Sequence, residues 1–289
     1  MAFIQGFHSR LSFKARIKET RMAIDPVPAI TESDATGETA EIYADIRTTL
    51  GIGVVNLIWR HLATIDDALP WVWHAIKPVY ISGSAAREAA ALFEGLGLPD
   101  MPLFPTSAIR AAGVSDGDRD TVIAILDSYN RGNALNLIAL SALTALPTDE
   151  APASPKGLVG AVENPIPILP NLDALAPDAR NLVLALSELG ANPNDRIIPS
   201  LYRHLAYWPG FLALTWSMIA PMHADGRLRG LMDRGWEAGH QHAGRIVGEI
   251  DLGPAPDTAD QARAAIEEFK RTAISRMVPI GMIIRRMMG

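Results

Sequence analysis

The chain has 289 residues, 48% hydrophobic and 20% charged, with a formal net charge of −6 and no cysteine. That length holds one large domain or two of ordinary size, each long enough for its own core. The composition excludes disulfides, thiolate nucleophiles, Cys-ligated zinc and CxxC redox chemistry, and the lack of a basic stripe argues against a nucleic-acid partner.

Residues 1–24 are mixed and charged (His8, Arg10, Lys14, Arg16, Lys18, Glu19, Arg21) and lack the apolar stretch and small-residue cleavage site of a secretion signal. They read as a flexible N-terminal arm, with Met22 as an alternative start. No run reaches the roughly 18 uninterrupted apolar residues of a spanning helix, so no membrane partner is expected and a cytoplasmic location fits. From there the apolar spacing is helical almost throughout. Ile42, Ile46 and Leu50 stand four apart on one face of the first helix. Helices are expected at 37–50, 54–63, 67–80, 83–96 and 117–145, within a first repeat spanning 25–146. Ser115 and Asp118 form a capping-box pattern ahead of the longest of them. Residues 147–176 are rich in Pro, Ala and Asn and read as an extended linker. A second repeat, 177–289, carries helices at 177–189, 197–206, 209–222, 225–249 and 258–287, with Pro177, Pro199 and Pro209 in first turns. No alternating strand pattern with hairpin turns occurs.

The two sets of helices repeat one another. Trp59-Arg60-His61-Leu62-Ala63 and Tyr202-Arg203-His204-Leu205-Ala206 align at a constant offset of 143 (Arg60 to Arg203). At that offset Leu69 falls on Leu212, Trp73 on Trp216, Ile76 on Ile219, Pro78 on Pro221, Gly83 on Gly226, Phe93 on Trp236 and Glu94 on Glu237. The expected fold is all-α, two tandem five-helix repeats forming a pseudo-dimer, with the ligand site where the halves face each other.

Several residues carry candidate chemistry. Arg60-His61 and Arg203-His204 form either a pair of cationic groups able to hold a carboxylate or a doubled packing motif with Arg bonded to backbone, Glu94 or Glu237. The run Asn192 to Ser200 enters a helix, where free N–H groups and the Ser200 hydroxyl suit an anion, or where Asn194 or Asp195 simply caps. Asn130, Asn133 and Asn136 share one face of the long helix, although Asn is a poor interior helix residue. They either position water and substrate or fix the packing as buried amides. Lys270, Ala273 and Arg276 stand at the equivalent places in the second repeat, so the asparagines occur once, as an asymmetric site requires. Trp59, Trp71, Trp73, Tyr202, Tyr207, Trp208, Trp216 and Trp236 gather around the repeated motif, as core or as a cradle for a halide or alkyl group. His240 and His242 point apart on a helix, so no metal site is expected there.

Asp34-Ala35-Thr36-Gly37-Glu38-Thr39-Ala40-Glu41-Ile42-Tyr43, followed by an apolar helix ending in Arg-His-Leu-Ala, resembles the AhpD-like all-helical superfamily. The CxxC of its peroxidases is absent. The duplication, the length, Tyr129-Asn130-Arg131-Gly132-Asn133 and Pro199-Ser200-Leu201-Tyr202-Arg203 resemble one branch, the group I 2-haloacid dehalogenases (DehI family), from about residue 25 onward. That resemblance implies a cofactor-free hydrolysis of 2-halocarboxylic acids: an Asp general base activates water, which attacks C2 and displaces halide with inversion. By position it implies that Asn133 holds the water, with Asn130 and Asn136 as neighbours. Ser200 binds the carboxylate, helped by Arg203. Trp59, Tyr202 and Trp208 are wall candidates. The family's base follows the serine, and here that position is Leu201, which accepts no proton. Asp195 lies six positions earlier and would need rearrangement to substitute. Three readings follow: a nominal dehalogenase, a catalytically silent small-carboxylate-binding homologue, and a structural oligomerisation module.

Overall fold

The computed structural model describes residues 26–155, 160–162, 164–192 and 195–289; the expected arm at 1–24 lies outside them. Among the described residues the protein is helical with no strand. The first half contains α1 (Gly37–Leu50), α2 (Leu57–Leu62), α3 (Ala68–Ile81), α4 (Ser84–Gly95), α5 (Thr106–Ala111) and α6 (Asp116–Ala142). The second contains α7 (Pro177–Glu188), α8 (Ser200–Leu205), α9 (Pro209–Ala224), α10 (Arg227–Gly244), α11 (Ala259–Phe269) and α12 (Ser275–Met288). Helices α2 and α8, α4 and α10, and α6 and α11 each begin 143 residues apart. Gly83 and Gly226, which precede α4 and α10, both adopt the left-handed region (φ 77° and 82°) that lets the chain turn sharply without a Cβ clash.

Local chemistry sets the boundaries. Ser115 and Asp118 complete a reciprocal capping box at the start of α6. Gly51, at φ 63°, ends α1 and donates its N–H to carbonyls of the last turn. Three expectations need correcting. Helix α5 was not anticipated: of its six residues only Ile109 is buried, so it carries no apolar stripe. The expected helix 225–249 stops at Gly244 and is followed by a 3₁₀ turn, Val247–Glu249. The expected helix 258–287 is interrupted by a π turn, Lys270–Ile274, between α11 and α12.

The halves do not own separate cores. One apolar cluster joins α1–α4 to the C-terminal part of α6 (Ala134 to Ala142) and to α11 with the π turn. The other joins α7–α9 to the N-terminal part of α6 (Val122 to Tyr129) and to most of α12. Each repeat therefore lends half of its long helix to the other, and the crossing lies near residues 129–134 and 273–277.

The stretch expected as linker is strapped down at its C-terminal end. His204 Nε2 donates to the Pro167 carbonyl (2.9 Å), Arg203 Nε and Nη2 donate to that of Pro170 (3.0 and 2.7 Å), and the Tyr207 hydroxyl donates to that of Ile168 (2.9 Å). The first half shows the same device: His61 Nδ1 bonds the Pro28 carbonyl at 2.8 Å. Pro26-Val27-Pro28 thus corresponds to Pro165-Ile166-Pro167.

Candidate functional site

Where the long helices cross, a cavity of about 40 Å³ remains. It has room for roughly two or three waters. The first half supplies Asn56, Leu57, Ile58, Tyr129 and Asn133, and the second supplies Ile197, Pro199, Ser200, Leu201, Phe269, Ala273, Ile274 and Met277. Leu57-Ile58 and Ser200-Leu201 are counterparts at the repeat offset, so the cavity straddles the internal symmetry. The π turn places Ala273 and Ile274 in its wall; such turns reset a helix's side-chain directions by one position.

The asparagines part company. Asn136 is fully buried, accepts from Trp59 Nε1 (3.3 Å) and the Tyr80 hydroxyl (3.0 Å), and donates to Asn56 Oδ1 (3.2 Å). Asn56 Nδ2 in turn donates to Asn133 Oδ1 (3.4 Å). With Oδ1 engaged, Asn133 is left to offer the cavity its NH₂ group, a donor for a water or carboxylate oxygen. Asn130 faces elsewhere: Nδ2 donates to the Gly281 carbonyl (3.2 Å), and the residue lines a separate hollow with Asp127 and Arg285.

Ser200 also lines the cavity, and its hydroxyl accepts a 2.8 Å hydrogen bond from Arg60 Nη2, which reaches across from the other repeat. Arg60 is only 3% exposed, and its Nε donates to the Val55 carbonyl. Arg203 is spent on the strap carbonyl of Pro170. The duplicated arginines have thus diverged: both bind a backbone carbonyl, but only Arg60 is seen to reach the site serine.

Tyr129 in the wall donates its hydroxyl to His204 Nδ1 (2.7 Å). Because the Pro167 carbonyl can only accept, the His204 proton sits on Nε2 and Nδ1 is the acceptor. Burial pushes the His204 pKa down to about 4; the Pro167 carbonyl opposes this, and the nearby Arg60 and Arg203 charges add to it. Burial raises the Tyr129 hydroxyl, with the same two arginines acting in the other direction. Tyr129 is the one titratable side chain among the described residues that line the cavity.

Three expected site residues, Asn133, Ser200 and Leu201, therefore meet in one cavity. The expected walls do not. Trp59 lies in the first apolar cluster, edge-on to Trp73, and Tyr202 and Trp208 lie in the second. All three are packed within those clusters, and none is part of the cavity lining. Asp195 is turned away as well: Oδ1 accepts from the Ile197 N–H (2.9 Å) and Oδ2 lies 3.2 Å from Arg276 Nη1. Asn56, Tyr129 and the π turn were not singled out from sequence, though Tyr129 lies within the noted asparagine segment.

A packing prediction arises at Gly132. A Cβ there would strike the Asn56 side-chain amide. Gly132→Ala gains about 1 kcal/mol of helix propensity but overpacks at a cost of about 1–3 kcal/mol. It should lower urea stability and disturb the Asn56–Asn133 bond; unchanged or higher stability would refute this.

Sequence and shape comparisons both return 2-haloacid dehalogenases. The chain is 30% identical over 230 residues to a configuration-inverting 2-haloacid dehalogenase of Alcaligenes xylosoxydans xylosoxydans, covering 73% of this chain and 75% of that protein. A second protein so described, from Pseudomonas sp. (strain 113), is 31% identical over 116 residues, 40% of this chain and 38% of that protein. Solved structures of a D-2-haloacid dehalogenase mutant with D-2-CPA and of a D-2-haloacid dehalogenase with L-LA each superpose with a TM-score of 0.69 at 19% identity, covering 91% of this chain and 96% of theirs. The chain matches no family profile.

Proposed function

The chain belongs to the configuration-inverting 2-haloacid dehalogenases, and from that premise we propose that it binds small 2-substituted carboxylic acids in the seam cavity without the family's hydrolytic turnover. One observation carries this reading. No carboxylate or imidazole stands among the described residues lining the cavity, and Leu201 fills the wall where the resemblance implies a base. Attack of water at C2 needs its proton removed as the carbon–halogen bond breaks, and a positioned base typically supplies about 10²–10⁴-fold. The nearby alternatives do not serve. Asp195 is committed to Arg276 and the Ile197 N–H. His204 is separated from the cavity by Tyr129, and at pH 7 its protonation costs about 4 kcal/mol with a pKa near 4. What remains is a binding site: Ser200 for the carboxylate, Asn133 for a water or second oxygen, and an apolar wall for halogen or alkyl.

In this reading the repeats act as one unit, with residues 164–172 belonging to the second, and the setting is cytoplasmic. No helix among the described residues is long and apolar enough to cross a membrane. The outer face of α9 favours assembly with a second copy, since Trp216 is 42% exposed where its counterpart Trp73 is 1% exposed. Sedimentation of native protein against Trp216→Ser tests that.

Each enantiomer of 2-chloropropionate should raise the unfolding temperature, by the equivalent of about 2.7 kcal/mol at a hundredfold excess over Kd. Chloride release should not exceed the buffer rate. Absence of stabilisation would remove the binding reading and favour the oligomerisation module. Rapid chloride release would remove the silent one.

A further inference from the structure

A second hollow, of about 390 Å³, lies on the other side of the segment that walls the cavity. Gly53, Val54 and Arg60 face the hollow, whereas Asn56, Leu57 and Ile58 face the cavity. The connection runs through Arg60, which lines the hollow while its Nη2 donates to the cavity's Ser200. Arg203, from the other repeat, lines the same hollow, and both arginines are at least 96% buried. The rim is open at Ser33, Ile168 and Asn171, all exposed.

We propose that this hollow is the antechamber through which small carboxylates reach the cavity, and that Arg60 is the gate, trading the Ser200 hydroxyl for the carboxylate of the incoming acid. The proposal rests on the small-acid reading above and adds its route and its selectivity. A serine oxygen offers a guanidinium one acceptor atom, whereas a carboxylate offers two in a plane that matches the fork. Exchange at Arg60 is therefore favourable for an anion and unfavourable for a neutral amide of the same shape. Two arginines at the back of one hollow also draw anions from solvent, because Glu32, the one carboxylate in the described lining, is already paired with Arg47 and the Val55 N–H; salt weakens the attraction.

The test uses the full chain with 2-chloropropionate and the neutral 2-chloropropionamide as probes, read by NMR exchange between free and bound acid. Asn171→Trp narrows the rim without touching Arg60, Ser200 or Asn133. It should slow association and dissociation alike by about tenfold while the affinity stays within about twofold, because a route alters rates and not the equilibrium. Association in the native protein should fall with added salt, and the amide should compete poorly. If native protein binds the acid and Asn171→Trp exchanges it at the native rate, the route is wrong. Weaker affinity with unchanged dissociation would place the acid at the rim and also overturn it. If native protein binds no acid, the binding reading itself falls.

Discussion

Leu201→Asp is expected to raise halide release from 2-chloropropionate by about 10²–10⁴-fold over the native chain, the range a positioned general base provides. Leu201 stands in the first turn of α8, buried to 1% exposure, with its side chain in the cavity wall beside Ser200. A carboxylate there would take the proton of a water oriented by Asn133 while the water oxygen bonds to C2 and the halide leaves with the electron pair. Burial would raise the new carboxyl's pKa and Arg60, bonded to the neighbouring Ser200, would lower it. The rate should therefore rise with pH through one ionisation. Leu201→Asn is the control: it has similar size and polarity but accepts no proton, and should show no gain. Burying the new polar group costs about 1–3 kcal/mol, so folding and acid binding of the variant are measured first. A folded, acid-binding Leu201→Asp that releases no more halide than Leu201→Asn would refute the missing-base account.

That prediction depends on two residues the sequence already singled out, Asn133 and Leu201. Their legibility has a physical cause. The offset of 143 shows in apolar and Arg-His positions because both copies pack the same helix ends, and it brings Ser200-Leu201 opposite Leu57-Ile58. The asparagines stood out because three amides on one helix face oppose helix propensity. Their division of labour was not legible. Asn130, Asn133 and Asn136 have the same spacing, and only the partners Gly281, Asn56 and Tyr80 decide which of them meets the cavity. Which aromatics pack in the core was not legible either, because an apolar residue in sequence looks the same in core and pocket. The crossing of α6 with α12 was equally hidden: periodicity reports which face of a helix is buried, not which half of the molecule buries it. The strap at 164–172 read as linker because prolines exclude helix and strand without revealing that Arg203 and His204 hold its carbonyls.

His204 should make the fold acid-labile in a window of its own, with about 3 kcal/mol lost between pH 6.5 and pH 4. Its folded pKa is pushed down to about 4, below the 6.5 of the unfolded chain. Between those values the unfolded state holds more protons, so stability rises with pH there. The contribution is complete above pH 6.5 and disappears as pH falls through 4. Carboxylates whose pKa is depressed in the fold, such as Asp45 and Glu88, lose their contributions from the ordinary carboxylate range downward. The two effects therefore separate on the pH axis. His204→Gln keeps a donor for the Pro167 carbonyl and removes the titration. Its denaturant stability should be flat between pH 6.5 and pH 4.5 where the native chain slopes, and an identical slope would disprove the assignment. The same protonation reaches the cavity. A proton on Nδ1 turns it from acceptor to donor, so the Tyr129 oxygen accepts and its O–H is freed toward Ser200 or the cavity. Acid binding should strengthen over the same window in the native chain and not in His204→Gln, because the new imidazolium and the freed Tyr129 O–H both favour a carboxylate in the cavity.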